Sequence, residues 1–199
     1  MLRRNIVAAE PSAQGAMTRP DVVITPYLAA GDVEGLTDRL DRIFFEASAT
    51  RSFPDEAARA AFRERWLGRY LRHWPGEALL AFAPGPELAG YLVGCLHSPA
   101  DATVLADIDY FKTFAHLVRD YPAHLHVNLA PEYRGHGIGS RLIAAFVCQA
   151  AAAGLAGVHV VTGKGMRNVG FYERNGFALR GEASVGGRTL ILLGRRLAP

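Results

Sequence analysis

The chain has 199 residues, half of them hydrophobic, with a formal charge of +3 and an isoelectric point near 9.1. That length suits one domain with a full core, since a chain of this size buries about 70% of its unfolded surface, and the apolar content excludes a disordered chain. The arginines are scattered, with only short clusters such as Arg195 and Arg196, and no helix interleaves a basic face with aromatics, so nucleic acid is not an expected partner.

Residues 1–20 carry Pro11, Gly15 and Pro20 without periodicity and are expected to form a flexible tail, leaving 21–199 as a single domain. Val22 to Thr25 read as a first strand stopped by Pro26, and Asp32 opens an amphipathic helix through Leu36, Leu40, Ile43 and Phe44. A second helix is expected from Pro54 to about Trp74, with Ala58, Phe62, Trp66 and Tyr70 recurring every four residues on one face. From Ala78 the period changes. Two antiparallel strands flank the turn Pro84 to Glu87, and the meander ends at Pro99. The next 20 residues mix Asp101, Asp107 and Asp109 with Phe111, Phe114 and Leu117, which predicts a partly helical insertion over the site, presenting a partly aromatic, partly acidic wall that favours a cationic acceptor.

A central strand then runs from about Ala123 to Leu129, with His124, His126 and Asn128 on one face and Leu125, Val127 and Leu129 on the other. After Pro131 a helix spans about Gly137 to Ala153, followed by a fifth strand at Gly157–Gly163, a short helix from Arg167 to Arg174, a strand from Phe177, and a last strand after the turn at Val185 to Arg188. The fold class is therefore α/β in the broad sense (α+β), a mixed, mostly antiparallel central sheet flanked by helices. Cys95 and Cys148 lie in apolar runs rather than at metal or disulfide spacing, which predicts two core thiols in a reducing compartment. No apolar run reaches the roughly 20 residues of a membrane span, and the start at Leu2, Arg3 and Arg4 leads into too few apolar residues for a secretory segment. A soluble cytoplasmic protein with no membrane partner is expected, either a monomer or a homodimer.

The chemistry centres on Tyr121 to Gly139, a buried strand, a polar turn and a helix whose first residues are rich in glycine. Such a start leaves backbone N–H groups unpaired beside the positive helix end, which suits an anion. Two common phosphate signatures fail on spacing. Gly135, Gly137 and Gly139 fall every second residue rather than as the dinucleotide fingerprint, and Gly157 is separated from Gly163 by five residues, with Gly165 after Lys164 where a P-loop needs Ser or Thr. His124 and His126 have no evident third ligand, so no metal is expected.

Arg134, Gly137 and Gly139 at a strand-to-helix turn, with Pro131, Tyr133 and the later run Phe171 to Phe177 (FYERNGF), resemble the GCN5-related N-acetyltransferase (GNAT) superfamily over most of residues 21–197. The stretch from Asp120 to Gly139 is also similar to the acetyltransferase-like domain of protein O-GlcNAc hydrolases. The resemblance implies acetyl-CoA as donor, its pyrophosphate held by Arg134, Gly135, His136, Gly137, Ile138, Gly139 and Ser140, with Arg141 as a further cation. It implies that the pantetheine arm lies along Val127, Asn128 and Leu129, and that Tyr172 is the acid that protonates the leaving thiolate. Members often carry Asn seven residues before that Tyr and a small residue four before it; here those places hold Gly165 and Asn168. Asn168 either replaces the lost contact or caps the short helix. A base is needed as well, and His126 has the right ordinary pKa, with Asp107 and Asp109 as rivals. The expected reaction is direct transfer to an amine of a small molecule or protein, because neither cysteine has an adjacent base. A non-catalytic acetyl-CoA sensor or interaction module is the alternative, and a nucleotide-binding protein would prefer ATP or NAD to CoA.

Overall fold

The computed structural model describes residues 21–31, 33–85, 87–97 and 103–197. The expected tail at 1–20, Asp32, Pro86 of the hairpin turn, and Pro99 and Asp101 lie outside those residues. Seven strands, β1 (Val23–Pro26), β2 (Leu79–Phe82), β3 (Leu88–Cys95), β4 (Ala123–Leu129), β5 (Gly157–Gly163), β6 (Ala178–Val185) and β7 (Arg188–Arg196), make one sheet. Their order across it is β1-β2-β3-β4-β5-β7-β6, and every neighbouring pair is antiparallel except β4 with β5. This is the mixed, mostly antiparallel sheet expected above.

Helices cover both faces. On one side α6 (Ile138–Ala152) packs Leu142, Ile143 and Phe146 against Leu92, Leu125 and Val160. On the other, α1 (Leu36–Ala47), α2 (Glu56–Arg63), α3 (Arg69–His73), α4 (Asp109–Thr113) and α5 (Ala115–Val118) cover Tyr91, Val93 and Cys95. β3 is buried along its whole length for this reason. The helix expected from Pro54 to Trp74 is continuous but not regular. Asp55 caps it, its Oδ1 accepting the Ala58 N–H at 2.7 Å, and a π-helical turn at Glu64–Gly68 joins α2 to α3. π turns of this kind often mark functional positions, and this one delivers Tyr70, which is fully buried, onto the sheet.

Cys148 corrects an expectation. It is exposed, because α6 buries Leu142, Ile143, Phe146, Val147 and Ala150, and the residue after Val147 sits about 100° further round the helix. Gly94 has a packing reason. A Cβ there would lie 2.5 Å from the His124 carbonyl oxygen and 2.7 Å from the Phe146 ring. Gly94→Ala is expected to lower stability by about 1–3 kcal/mol through overpacking, measured as a lower urea midpoint at unchanged slope.

Candidate active site

The site begins as a fault in the sheet. β3 pairs with β4 from Gly90–Leu129 to Cys95–His124, and β5 pairs with β7 from Gly157 to Gly163. β4 and β5 meet only at Ala123–Val158 and His124–His159. Beyond His124 the two strands diverge, so the β5-facing main chain of Leu125 to Leu129 has no strand partner. A cleft of about 620 Å³ opens there, floored by Val127, Asn128 and Leu129.

At one end the cleft meets the glycine turn. Gly135 and Gly137 have φ of 83° and 79°, and a Cβ at either would meet nothing within 4 Å. Positive φ favours glycine, and here it curls the backbone around open space. Arg141 is the first helical residue whose N–H reaches back, to the Gly137 carbonyl at 3.1 Å. The N–H groups of Ile138, Gly139 and Ser140 precede it at the positive end of α6. Gly139 also has a packing role: a Cβ there would lie 3.0 Å from Phe171 Cζ, so its missing side chain makes room for the Phe171 ring.

The opposite wall is α7 (Asn168–Arg174), with Arg167 just before it. Tyr172 lines the cleft although only 7% of it is exposed, its ring packed against Phe171 and Phe177. Burial pushes its phenol up to about 12, so it holds its proton at neutral pH. Asn168 lines the cleft without capping the helix. Its Oδ1 accepts the Thr162 hydroxyl at 2.9 Å, tying α7 to the end of β5.

Of the residues expected at the cofactor, Val127, Asn128, Leu129, Arg134, Gly135, Gly137, Gly139, Ser140 and Asn168 line this one cleft with Tyr172. Several have qualified parts. The Asn128 amide donates to the Tyr91 hydroxyl at 2.9 Å, so that residue offers the cleft its main chain. Ile138 is a core side chain, 1% exposed, and contributes its N–H alone. His136 is not among the lining residues, and its Nδ1 is buried without a partner. Arg134 Nε donates to the Leu129 carbonyl at 3.2 Å, while Arg141 turns away and donates to the Val22 carbonyl at 2.6 Å. The cations that reasoning from sequence missed are Arg167 and Arg174. Arg174 lay in plain view inside the FYERNGF run, whereas nothing local marked Arg167.

His126 lies on the other face of β4, part-buried, with Nε2 3.2 Å from the Tyr70 hydroxyl. Burial lowers its pKa to about 4. His124, two residues before it on the same face of the strand, is 2% exposed and cannot meet an acceptor. The acidic wall is also not what the sequence predicted. Asp107 takes ion pairs from Arg69 at 2.6 Å and Arg65 at 3.0 Å, and the Arg69 hydrogen bond above all holds its carboxyl down to about 2. Asp109 sits in solvent, 3.9 Å from Lys112. The electrostatic case for a cationic acceptor falls with them. Among the described residues, no group of His, Cys, Asp and Glu is arranged to hold a metal ion, and no helix is long and apolar enough to cross a membrane.

Residues 88–179, which span β3 to the start of β6 and so both walls of the cleft, match the acetyltransferase (GNAT) domain family. The chain carries a GNAT domain. Domains of this family draw their acetyl group from acetyl-CoA. The crystal structure of SsHAT is similar to it at 23% identity and a TM-score of 0.65, with 90% of this chain and 100% of that one covered. An agmatine N-acetyltransferase matches at 17% identity and 0.61, covering 89% and 100%. A ribosomal-protein-alanine N-acetyltransferase from Brucella melitensis matches at 19% and 0.56, covering 88% and 99%. At these identities the likeness is one of fold. The narrower likeness to the O-GlcNAc hydrolase domain stays a resemblance.

Proposed function

We propose that this GNAT domain transfers acetyl from acetyl-CoA directly to an amine, with no covalent enzyme intermediate. The observation that carries the reading is convergence: an unpaired strand edge, a glycine-lined helix start and a protonated buried phenol all line one cleft. The N–H groups of the turn and of the first turn of α6 receive the pyrophosphate, with Arg134, Arg167 and Arg174 supplying charge. The free edge of Val127 to Leu129 takes the pantetheine amides, and an N–H there polarises the thioester carbonyl. The Tyr172 hydroxyl donates to the departing sulfur as negative charge develops there.

A ping-pong route through a cysteine finds no support among the described residues. Neither cysteine lines the cleft, and burial pushes the Cys95 thiol up to about 12.

His126 remains our proposed proton acceptor, in a narrower role than the sequence led us to expect. At a pKa of about 4 it stands roughly six units below a lysine-like ammonium, so stripping that ammonium before attack costs about 8 kcal/mol. Its proton must come from the adduct formed by the neutral amine, which is far more acidic than a free ammonium because its carbon carries oxygen and sulfur. The non-catalytic module retains one supporting observation: among the described residues, no carboxylate lines the cleft.

Calorimetric titration with acetyl-CoA, then thiol release across a panel of small amines and N-terminal peptides, separates the readings. Micromolar binding with amine-dependent release is the expected result. Binding without release for any amine returns the protein to the module class, and tighter binding of ATP or NAD than of CoA ends the proposal.

A further inference from the structure

The α7 wall of the cleft carries one polar side chain that is only half satisfied. The neutral polar residues lining the cleft are Asn128, Ser140, Asn168 and Tyr172. Asn128 commits its amide nitrogen to Tyr91, Ser140 lies in the first turn of α6, and Tyr172 is assigned to the sulfur. Asn168 is left. It is exposed, its Oδ1 accepts the Thr162 hydroxyl at 2.9 Å, and its Nδ2 has no partner among the described residues.

Thr162 is the firm member of that pair. It stands next to the end of β5 and is held in register against Ile191 of β7. A β-branched side chain on a strand has few rotamers, so its hydroxyl is nearly fixed. Strand alternation gives it the same face as Val160, which packs in the core beneath α6. Asn168, by contrast, opens a seven-residue helix that it does not cap, and alone it would turn freely about its side-chain torsions. Bonding Oδ1 to the strand removes that freedom. A carboxamide has an acceptor end and a donor end, so the end left over is the NH2.

That donor suits an amide-bearing ligand. An arm lying along the free edge of β4 hydrogen-bonds through the side of its amides that faces the strand. Each of its carbonyl oxygens has a second lone pair, and across the cleft the wall is α7.

We propose that Thr162 is a positioning residue for the cofactor: it holds the Asn168 amide so that Nδ2 donates to a carbonyl of the pantetheine arm. The inference rests on the proposed course of that arm along Val127 to Leu129, and not on transfer of the acetyl group.

The test compares two ligands by calorimetry, acetyl-CoA and 3′-phospho-ADP, the nucleotide half of CoA without the arm. Thr162→Val keeps the branched shape and the strand pairing and removes the hydroxyl. It is expected to weaken acetyl-CoA about threefold to tenfold, the range of one neutral hydrogen bond, and to leave 3′-phospho-ADP within about twofold. Thr162→Ser keeps the hydroxyl and is expected to bind acetyl-CoA as wild type does. Asn168→Ala weakens acetyl-CoA at least as much as Thr162→Val, and the double variant no further than Asn168→Ala alone, because both changes remove one contact. Unchanged acetyl-CoA affinity in Thr162→Val or Asn168→Ala overturns the proposal. So does an equal loss for both ligands, which would make Thr162 a support for α7 as a whole, and so do losses that add in the double variant. Should Thr162→Val fail to fold, Thr162→Ala takes its place. Thiol release is not read here, so a protein that binds acetyl-CoA without turning it over fails the acetyl-transfer reading and still decides this one.

Discussion

Tyr172→Phe is expected to reduce thiol release by about 100-fold near pH 7 while acetyl-CoA binds as before. General acids contribute about 10²–10⁴, and the lower end applies because a thiol with an ordinary pKa of about 8.5 is a tolerable leaving group without help. The substitution removes one oxygen and keeps the ring that packs on Phe171 and Phe177, so folding is expected to survive. Because the wild-type phenol stays protonated to about 12, its advantage persists through the assay range. Thiol release within twofold of wild type at pH 7 would remove Tyr172 from the mechanism and leave the cleft without an acid.

The second large effect is on stability in mild acid. His124, His126 and His159 are held neutral by burial, the last two with pKa values lowered to about 4, whereas each returns to about 6.5 when the chain unfolds. Above pH 6.5 neither state binds the protons and stability is flat. Below it the unfolded chain binds them first, so stability falls with pH until the folded His126 and His159 also protonate, near pH 4, and continues to fall through His124, which burial holds lower than its ordinary value. One unit below 6.5 the loss is about 1.4 kcal/mol for each group, hence about 4 kcal/mol at pH 5.5, a large share of the usual 5–15 kcal/mol. Urea midpoints at pH 7.5, 6.5 and 5.5 measure it. Asp107 does not blur the window, since its ion pairs are lost lower, as pH falls from 3.8 to about 2. Equal midpoints at pH 7.5 and 5.5 would mean that the cluster is already solvated in the folded protein.

How much of this was legible from residues alone divides along contact distance. The strands, the glycine turn and the α6 start are encoded by neighbours in sequence, and their boundaries came within a few positions. Tyr70 was seen as one more aromatic on a helix face, because the partners that give it meaning lie 54 and 56 residues away. Asp107 read as a free acid because its arginines stand 38 and 42 positions earlier, across a π turn that no spacing rule foresaw. Gly139 read as phosphate clearance, and only the folded chain shows Phe171 in the space its side chain would need. Cys148 was misplaced by a single step of helical phase.

The meeting of β4 and β5 at two register positions bears on more than where a ligand fits. It divides the sheet into two antiparallel blankets, β1 to β4 and β5 to β7, stitched at Ala123 and His124 and otherwise held together by the helical layers on both faces. A donor lying in that gap would serve as a temporary eighth strand. Each catalytic cycle would then close the seam and open it again when CoA departs. Slowed amide exchange along Val127 to Leu129 on adding CoA, but not on adding an amine alone, would register that mending directly.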